Sequence, residues 1–344
     1  MRWSKTVTMV EAHAEGEVGR IVTGGVIDVP GKTISDKLRY LNEVDDSLRR
    51  FLVFEPRASA QMSTCLIFPP TRPDADVGFI ILQGDKAHAM SGSNSICLTT
   101  VLLETGMLQM TEPETIVRID TAAGLVVARA TCRGGKCERV TLTMNASYVD
   151  RLDAEVDVDG YGKVKVDIAY GGIFYALIDP AQLGLDIRPD QARRLVAAGS
   201  AIHRAVNAQL EIEHPTIDAI KGISYTMFAG FNDTGELKGA TIMPPGRIDR
   251  SPCGTGNSAR LAVAAARGLA RPGDRFTARS IIDSTFEVTY AGDTTVAGRP
   301  AVQPVISGRG WIHGIHQVGV DPSDPYPLGF TVSDTWGDAF DLLN

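Results

Sequence analysis

Aromatic residues make up only 6% of the 344 residues, and no stretch reaches 18 uninterrupted apolar residues, so no membrane span is expected. A basic excess is also missing. Against 34 Lys and Arg stand 41 Asp and Glu, a net charge of −7, and no Lys/Arg run offers a footprint for nucleic acid or an anionic membrane. An anionic ligand would have to be held by local donors. The segment from Met1 to Thr8 lacks the apolar stretch of a signal peptide. The five cysteines, Cys65, Cys97, Cys132, Cys137 and Cys253, are odd in number and scattered, as expected of reduced thiols in a cytoplasmic protein. The glycosylation-like triplets at Asn145 and Asn232 then carry no meaning.

What is present is enough apolar sequence, 44%, to bury a sizeable core, and enough length for two domains. The pattern predicts strands at 7–10, 19–23, 26–29, 77–82, 115–120, 125–130 and 139–144. A second set is expected at 163–169, 172–178, 223–228, 240–242, 286–290 and 302–307. Helices are expected from Ser35, with Ser35 or Asp36 as cap, to about Phe54, and from about Arg188 to Glu211. Cys132 and Cys137 flank Arg133-Gly134-Gly135-Lys136; with no second Cys/His pair nearby, a hairpin turn is read there in preference to a metal site. Strand sets wrapped around few helices, without regular βαβ alternation, give an α+β class in two lobes. The expected lobes are residues 1–160 and 161–344, with the tail from about residue 325 packing back on the first.

A search for self-similarity finds one informative echo. Ser91-Gly92-Ser93-Asn94-Ser95 leads into the apolar run 96–103, and Cys253-Gly254-Thr255-Gly256-Asn257-Ser258 leads into the apolar run 259–266. Each has a nucleophilic or acid–base side chain, then glycine, a hydroxyl residue and an Asn-Ser pair; Gly256 is the one extra residue. Glycine lets backbone approach a ligand closely. The first N–H groups of a helix lack internal partners and carry partial positive charge, which favours a carboxylate and lowers the pKa of an adjacent thiol. Two such ends could hold one anion and present two proton-transfer groups. A plain helix cap is the competing reading of each copy alone.

Other motifs fit less well. Residues 254–259 match the dinucleotide pattern G-x-G-x-x-A, but Pro244, Pro245, Arg247, Asp249, Arg250 and Pro252 stand where a buried strand should lead in. Neither Ser91 nor Ser93 sits in G-x-S-x-G. A cysteine hydrolase pairing Cys253 with His313 or His316 has no supporting spacing. The two histidines most worth testing are His88, three residues before Ser91, and His13.

The segment Asp249 to Gly256 is similar to the second catalytic motif of the proline racemase superfamily, and Met90 to Asn94 to the first, which reads Met-Cys-Gly-His in proline racemases. The segments His13 to Glu17, Thr121 to Gly124, Tyr170 to Phe174 and Gly308 to Trp311 also look like family landmarks, so the resemblance spans essentially the whole chain. It implies two pseudo-symmetric lobes of the diaminopimelate epimerase type, each a curved sheet around a central helix, with the active site between them. It also implies a small imino acid as partner, no metal, and no cofactor such as pyridoxal phosphate or nicotinamide. A homodimer is compatible with it.

The departures narrow the reading. Ser91 stands where a racemase has its first cysteine, and Ser93 where it has histidine. The related dehydratases commonly keep the first cysteine and carry Thr at the second position. The chain looks like a Ser/Cys branch, linked to trans-3-hydroxy-L-proline dehydration and 4-hydroxyproline 2-epimerisation. The resemblance assigns the Cα proton to Ser91 and Cys253, and the helix ends make the backbone N–H groups of Gly92, Ser93, Gly254 and Thr255 the candidates for the carboxylate. Asp249 is assigned the ring ammonium, and His88 support of Ser91. Serine is a poor base unless activated, and elimination needs only one strong proton acceptor. The first expectation is therefore dehydration of trans-3-hydroxy-L-proline to Δ1-pyrroline-2-carboxylate. The alternative is 4-hydroxyproline 2-epimerisation; an inactive imino-acid-binding protein is the outside alternative.

Overall fold

The computed structural model describes residues 2–218 and 220–337. It divides the chain into two compact units, 1–142 with 308–344, and 143–307.

The first unit opens with β1 (Lys5–Ala14) and β2 (Glu17–Gly24), then α1 (Ile34–Glu43) and α2 (Ser47–Val53). It continues with β3 (Ser63–Phe68), β4 (Val77–Leu82), a short β5 (Ala87–His88), α3 (Gly92–Glu104), β6 (Glu114–Thr121), β7 (Gly124–Arg133) and β8 (Lys136–Thr143). The second unit carries β9 (Tyr148–Val158), β10 (Gly162–Tyr170), β11 (Phe174–Ile178), α4 (Ala192–Gln209), β12 (Tyr225–Phe231), β13 (Leu237–Met243) and a short β14 (Arg247–Ile248). It ends with α5 (Gly254–Ala266), β15 (Arg275–Arg279), β16 (Thr285–Val296) and β17 (Arg299–Gly308). The chain then returns to the first unit as β18 (Gly310–Val320) and the short α6 (Ser333–Trp336).

Taken separately, the units share one topology. In the first, the sheet runs β18–β1–β2–β3–β4–β6–β7, parallel at β2–β3 and β4–β6 and antiparallel elsewhere. In the second it runs β9–β10–β11–β12–β13–β15–β16–β17, parallel at β11–β12 and β13–β15 and antiparallel elsewhere. Each sheet curls around one helix. α3 packs on β1, β2, β7 and β18, and α5 on β9, β10, β11 and β16. A helix enclosed this way must be apolar on every side, and residues 92–103 of α3 are all buried. In each unit the enclosed helix follows a two-residue strand, β5 or β14, hydrogen-bonded to the strand before it. The sequence echo therefore marks equivalent corners of two equivalent folds.

The α+β class and the curved sheet around a central helix match expectation, but the expected boundary near residue 160 does not coincide with the division at 142/143. Residues 148–158 alternate apolar with Asp, Arg and Glu, and form β9, which pairs with β10 over Tyr148–Val158. The return to the first unit starts at residue 308, before the expected 325, because β18 pairs with β1 along its whole length. Trp336, fully buried, packs its ring edge-on to Phe54 at 5.4 Å and donates from Nε1 to Glu55 Oε2 at 3.2 Å.

Local differences also have physical causes. The helix expected over 35–54 is two helices. Thr33 caps the first through a capping box with Asp36, and the Asp45 carboxylate accepts from Ser47 N at 2.9 Å where the chain restarts. Residues 26–29 form no strand; Lys37 Nζ donates to Asp28 Oδ1 and to Val29 O there. Between Cys132 and Cys137, Gly134 and Gly135 turn with φ of +60° and +75°, values a two-residue hairpin turn demands and glycine adopts freely. Among the described residues no helix is long and apolar enough to cross a membrane.

Candidate active site

In the first unit, Ser91 is the N-cap of α3, with extended backbone at φ −151° and ψ 125°. Its Oγ accepts from Asn94 Nδ2 at 2.9 Å and from Asn94 N at 3.4 Å, and lies 3.4 Å from Ser93 Oγ. Its carbonyl takes Ser95 N at 3.0 Å and Ser95 Oγ at 2.8 Å, which locks the first turn. Gly92 and Ser93 are the first two helical residues, so their N–H groups belong to the set without an intrahelical partner. Ser91 is half-buried, while every residue from Gly92 to Leu103 is buried.

His88 lies on β5, opposite Ile81 of β4, and its Nε2 sits 3.0 Å from Asp85 Oδ1. Burial would push the Asp85 carboxyl up; the charge and hydrogen bond of His88 outweigh it and hold the carboxyl at about 2. A carboxylate so placed fixes the orientation of the His88 ring.

In the second unit, Cys253 is the N-cap of α5 and has a positive φ of +69°, with ψ 104°. A non-glycine residue held there costs roughly 1–3 kcal/mol and persists only where its surroundings over-determine it. The surroundings are specific. Asp249 Oδ1 accepts from Ser251 N and Ser251 Oγ, both at 2.8 Å, and Ser251 Oγ accepts from Cys253 N at 3.1 Å. The thiol sits 3.3 Å from Tyr175 Oη, which is itself 2.6 Å from Thr255 Oγ1. A Cβ on Gly256 would stand 3.0 Å from Cys253 Sγ and 2.9 Å from Met227 Sδ, and one on Gly171 would stand 2.1 Å from Thr255 O. Both glycines are therefore dictated by close approach around the thiol and the first turn of α5.

Burial first, and then the negative charge of Asp249, push the Cys253 thiol up to about 12. The sequence expectation of a thiol acidified by its helix end is corrected here. The helix end is present, but desolvation and a like-signed neighbour outweigh it. Cys253 is a neutral S–H group near pH 7, ready to donate a proton.

Two residues beside these corners carry no assignment from the sequence: Tyr175, and Cys65, whose Sγ lies 3.2 Å from Asn94 Oδ1. Tyr175 is legible in retrospect from strand alternation. Phe174, Ala176 and Ile178 of β11 face one core cluster, and Tyr175 and Leu177 the cluster that contains Cys253. Among the described residues no group of three or more His, Cys, Asp or Glu is arranged to hold a metal ion.

In each unit, then, an enclosed helix is led by a side chain that can carry a proton, a hydroxyl with donors aimed at its oxygen in the first and a thiol in the second. The family profile described as Proline racemase matches residues 9–331. The chain belongs to the proline racemase family. It is 52% identical over 339 residues, 98% of either chain, to a protein of Agrobacterium fabrum named 4-hydroxyproline 2-epimerase. It is also similar, with a TM-score of 0.96 and 52% identity over 99% of this chain and 100% of that one, to the crystal structure of a hydroxyproline epimerase from Agrobacterium vitis with bound trans-4-hydroxy-L-proline. A predicted epimerase of Pseudomonas aeruginosa, 12% identical with a TM-score of 0.56 over 92% of this chain and 100% of that one, shares the fold.

Proposed function

We propose that this member of the proline racemase family inverts C2 of 4-hydroxyproline, interconverting the trans-L and cis-D forms, with Ser91 and Cys253 handling the Cα proton on opposite faces. The observation that carries the reading is the 52% identity, over 98% of both chains, to a relative named for that reaction.

The expectation that dehydration comes first is corrected by the same finding. It rested on the premise that an unassisted serine could serve an elimination more easily than a reversible exchange. That premise fails, because two N–H groups of Asn94 point at the Ser91 oxygen. Donors to an oxygen favour its ionised form.

The proton inventory supports a two-base exchange. From the L epimer, the Ser91 alkoxide takes the Cα proton: the Cα–H bond breaks and an O–H bond forms. The Cys253 thiol, neutral at pH 7 for the reasons above, gives its proton to the other face: its S–H bond breaks and the new Cα–H bond forms. The enzyme is left as Ser91 hydroxyl and Cys253 thiolate, the form that runs the reverse reaction. Between the two transfers the substrate carbanion shares charge with its carboxylate. The N–H groups of Gly92, Ser93, Gly254 and Thr255 would hold that charge, and Asp249 would keep the ring nitrogen cationic.

Chiral chromatography of trans-4-hydroxy-L-proline incubated with the protein alone tests the function. The expected result is steady appearance of cis-4-hydroxy-D-proline, approached equally from the D form. Recovery of the L form unchanged would remove the reading.

A further inference from the structure

The echo between the two helix ends breaks at one residue, and the break has a chemical consequence. Asn94 is the third residue of α3, whereas Asn257 is the fourth of α5 because Gly256 is inserted before it. One residue turns a helix by about 100°. Asn94 accordingly reaches the side chain of its cap residue, donating Nδ2–H and N–H to Ser91 Oγ. Asn257 instead donates from Nδ2 to Pro252 O at 2.6 Å and to Cys253 O at 3.0 Å. The serine corner thus has an amide aimed at its reactive atom, and the cysteine corner has the same amide aimed at backbone.

An asparagine amide can face either way, so something must choose. Cys65, on β3, donates from Sγ to Asn94 Oδ1 at 3.2 Å. On the other side, Gly19 of β2 leaves so little room that a Cβ there would lie 2.6 Å from Asn94 Oδ1. Cys65 is fully buried, and burial pushes its thiol well above the ordinary range. It is therefore an S–H donor at any working pH. A flipped amide would set its NH₂ against that S–H group, donor facing donor.

We infer that Asn94, oriented by Cys65, is the positioning residue that makes Ser91 a competent proton acceptor. The inference rests on the epimerase reading. A hydroxyl oxygen has two acceptor positions and one proton. Asn94 fills both acceptor positions in the hydroxyl and both remain favourable in the alkoxide. The remaining position, near Ser93 Oγ at 3.4 Å in the absence of substrate, takes the Cα proton and returns it. A thiol is intrinsically more acidic than a hydroxyl, and Cys253, although pushed up by burial and Asp249, has Tyr175 Oη 3.3 Å from its sulfur, so the inserted Gly256 still leaves the second unit a partner at its reactive atom. Cys65 has no other role in the proposed chemistry and would otherwise read as a core residue.

The test separates this role from simple packing. In Asn94→Ala, kcat for 4-hydroxyproline epimerisation is expected to fall by about 10²-fold, the usual cost of one preorganised donor, with KM within twofold. In D₂O, exchange counted as loss of Cα protium over both recovered epimers should fall in step when the L epimer is supplied, while exchange through Cys253 when the D epimer is supplied stays within threefold. Cys65→Ala should lower L-epimer exchange about fivefold, and Cys65→Ser, which returns a donor, should recover most of it. Wild-type rates in Asn94→Ala, or equal loss of both exchanges, would overturn the inference, as would identical behaviour of Cys65→Ala and Cys65→Ser. A wild-type protein that does not invert 4-hydroxyproline would instead remove the functional reading beneath it.

Discussion

Ser91→Ala is expected to lower epimerisation of 4-hydroxyproline by at least about 10³-fold, within the range for loss of a positioned acid–base group. The protein should still fold. Ser91 is half-buried, and losing an N-cap side chain costs about 1 kcal/mol. The more telling part is what survives. Without Ser91, the L epimer has no acceptor for its Cα proton and should show no exchange with solvent. The D epimer still meets Cys253, whose minor thiolate fraction takes its Cα proton slowly, and once deprotonated the substrate cannot be quenched from the other face. Its long-lived carbanion gives the thiol time to swap its proton with solvent, so deuterium should enter the D epimer without inversion. Proton NMR in D₂O reads both quantities in one sample. Inversion at the wild-type rate would move the base elsewhere.

Cys253→Ala should produce the mirror image, with inversion again down by at least about 10³-fold. Here exchange should persist for the L epimer through Ser91 and vanish for the D epimer. The structural consequence also differs. Cys253 occupies positive φ, with its N–H tied to Ser251 and its thiol beside Tyr175. Alanine inherits the strain and loses the buried sulfur, so a drop of about 1–2 kcal/mol in stability should accompany the loss of activity. Persistent D-epimer exchange in Cys253→Ala would assign the second face to another group. Taken together, the two variants ask whether each corner serves one face alone.

The family and the fold class were legible in the sequence, whereas the unit boundaries and the choice of reaction were not. The echo at 91–95 and 253–258 is readable because the entry to the enclosed helix repeats, and a repeated topology repeats its demands for glycine, hydroxyl and asparagine at the same turn. β9 was read as intervening sequence because its solvated face is Asp, Arg and Glu; only pairing with β10 reveals the alternation as a strand. Gly310, Trp311 and Gly314 leave strand and turn open in the sequence, and Gly319 adds a third glycine to what proves to be β18. Two of the glycines are forced by neighbours in three dimensions: a Cβ on Gly310 would press on Thr100, and one on Gly319 on Trp3.

The helix break at Val44 needed the Asp45–Ser47 contact to be seen. The Cys253 proton affinity was misjudged because a helix end is visible in sequence, whereas burial and the nearness of Asp249 are not. The same limit hid Cys65, whose importance lies in one hydrogen bond across 29 residues to Asn94.

Deuterium distribution at the first few per cent of conversion tests the two-base claim most directly. Unlabelled trans-4-hydroxy-L-proline is incubated with the wild-type protein in D₂O, and both epimers are recovered and examined at Cα. If Ser91 removes the proton and Cys253 supplies another, the D product carries deuterium from its first appearance, while the recovered L form keeps its protium. A D product that retains the original protium would mean that one group carries the proton from face to face, and would contradict the division of labour between the two residues.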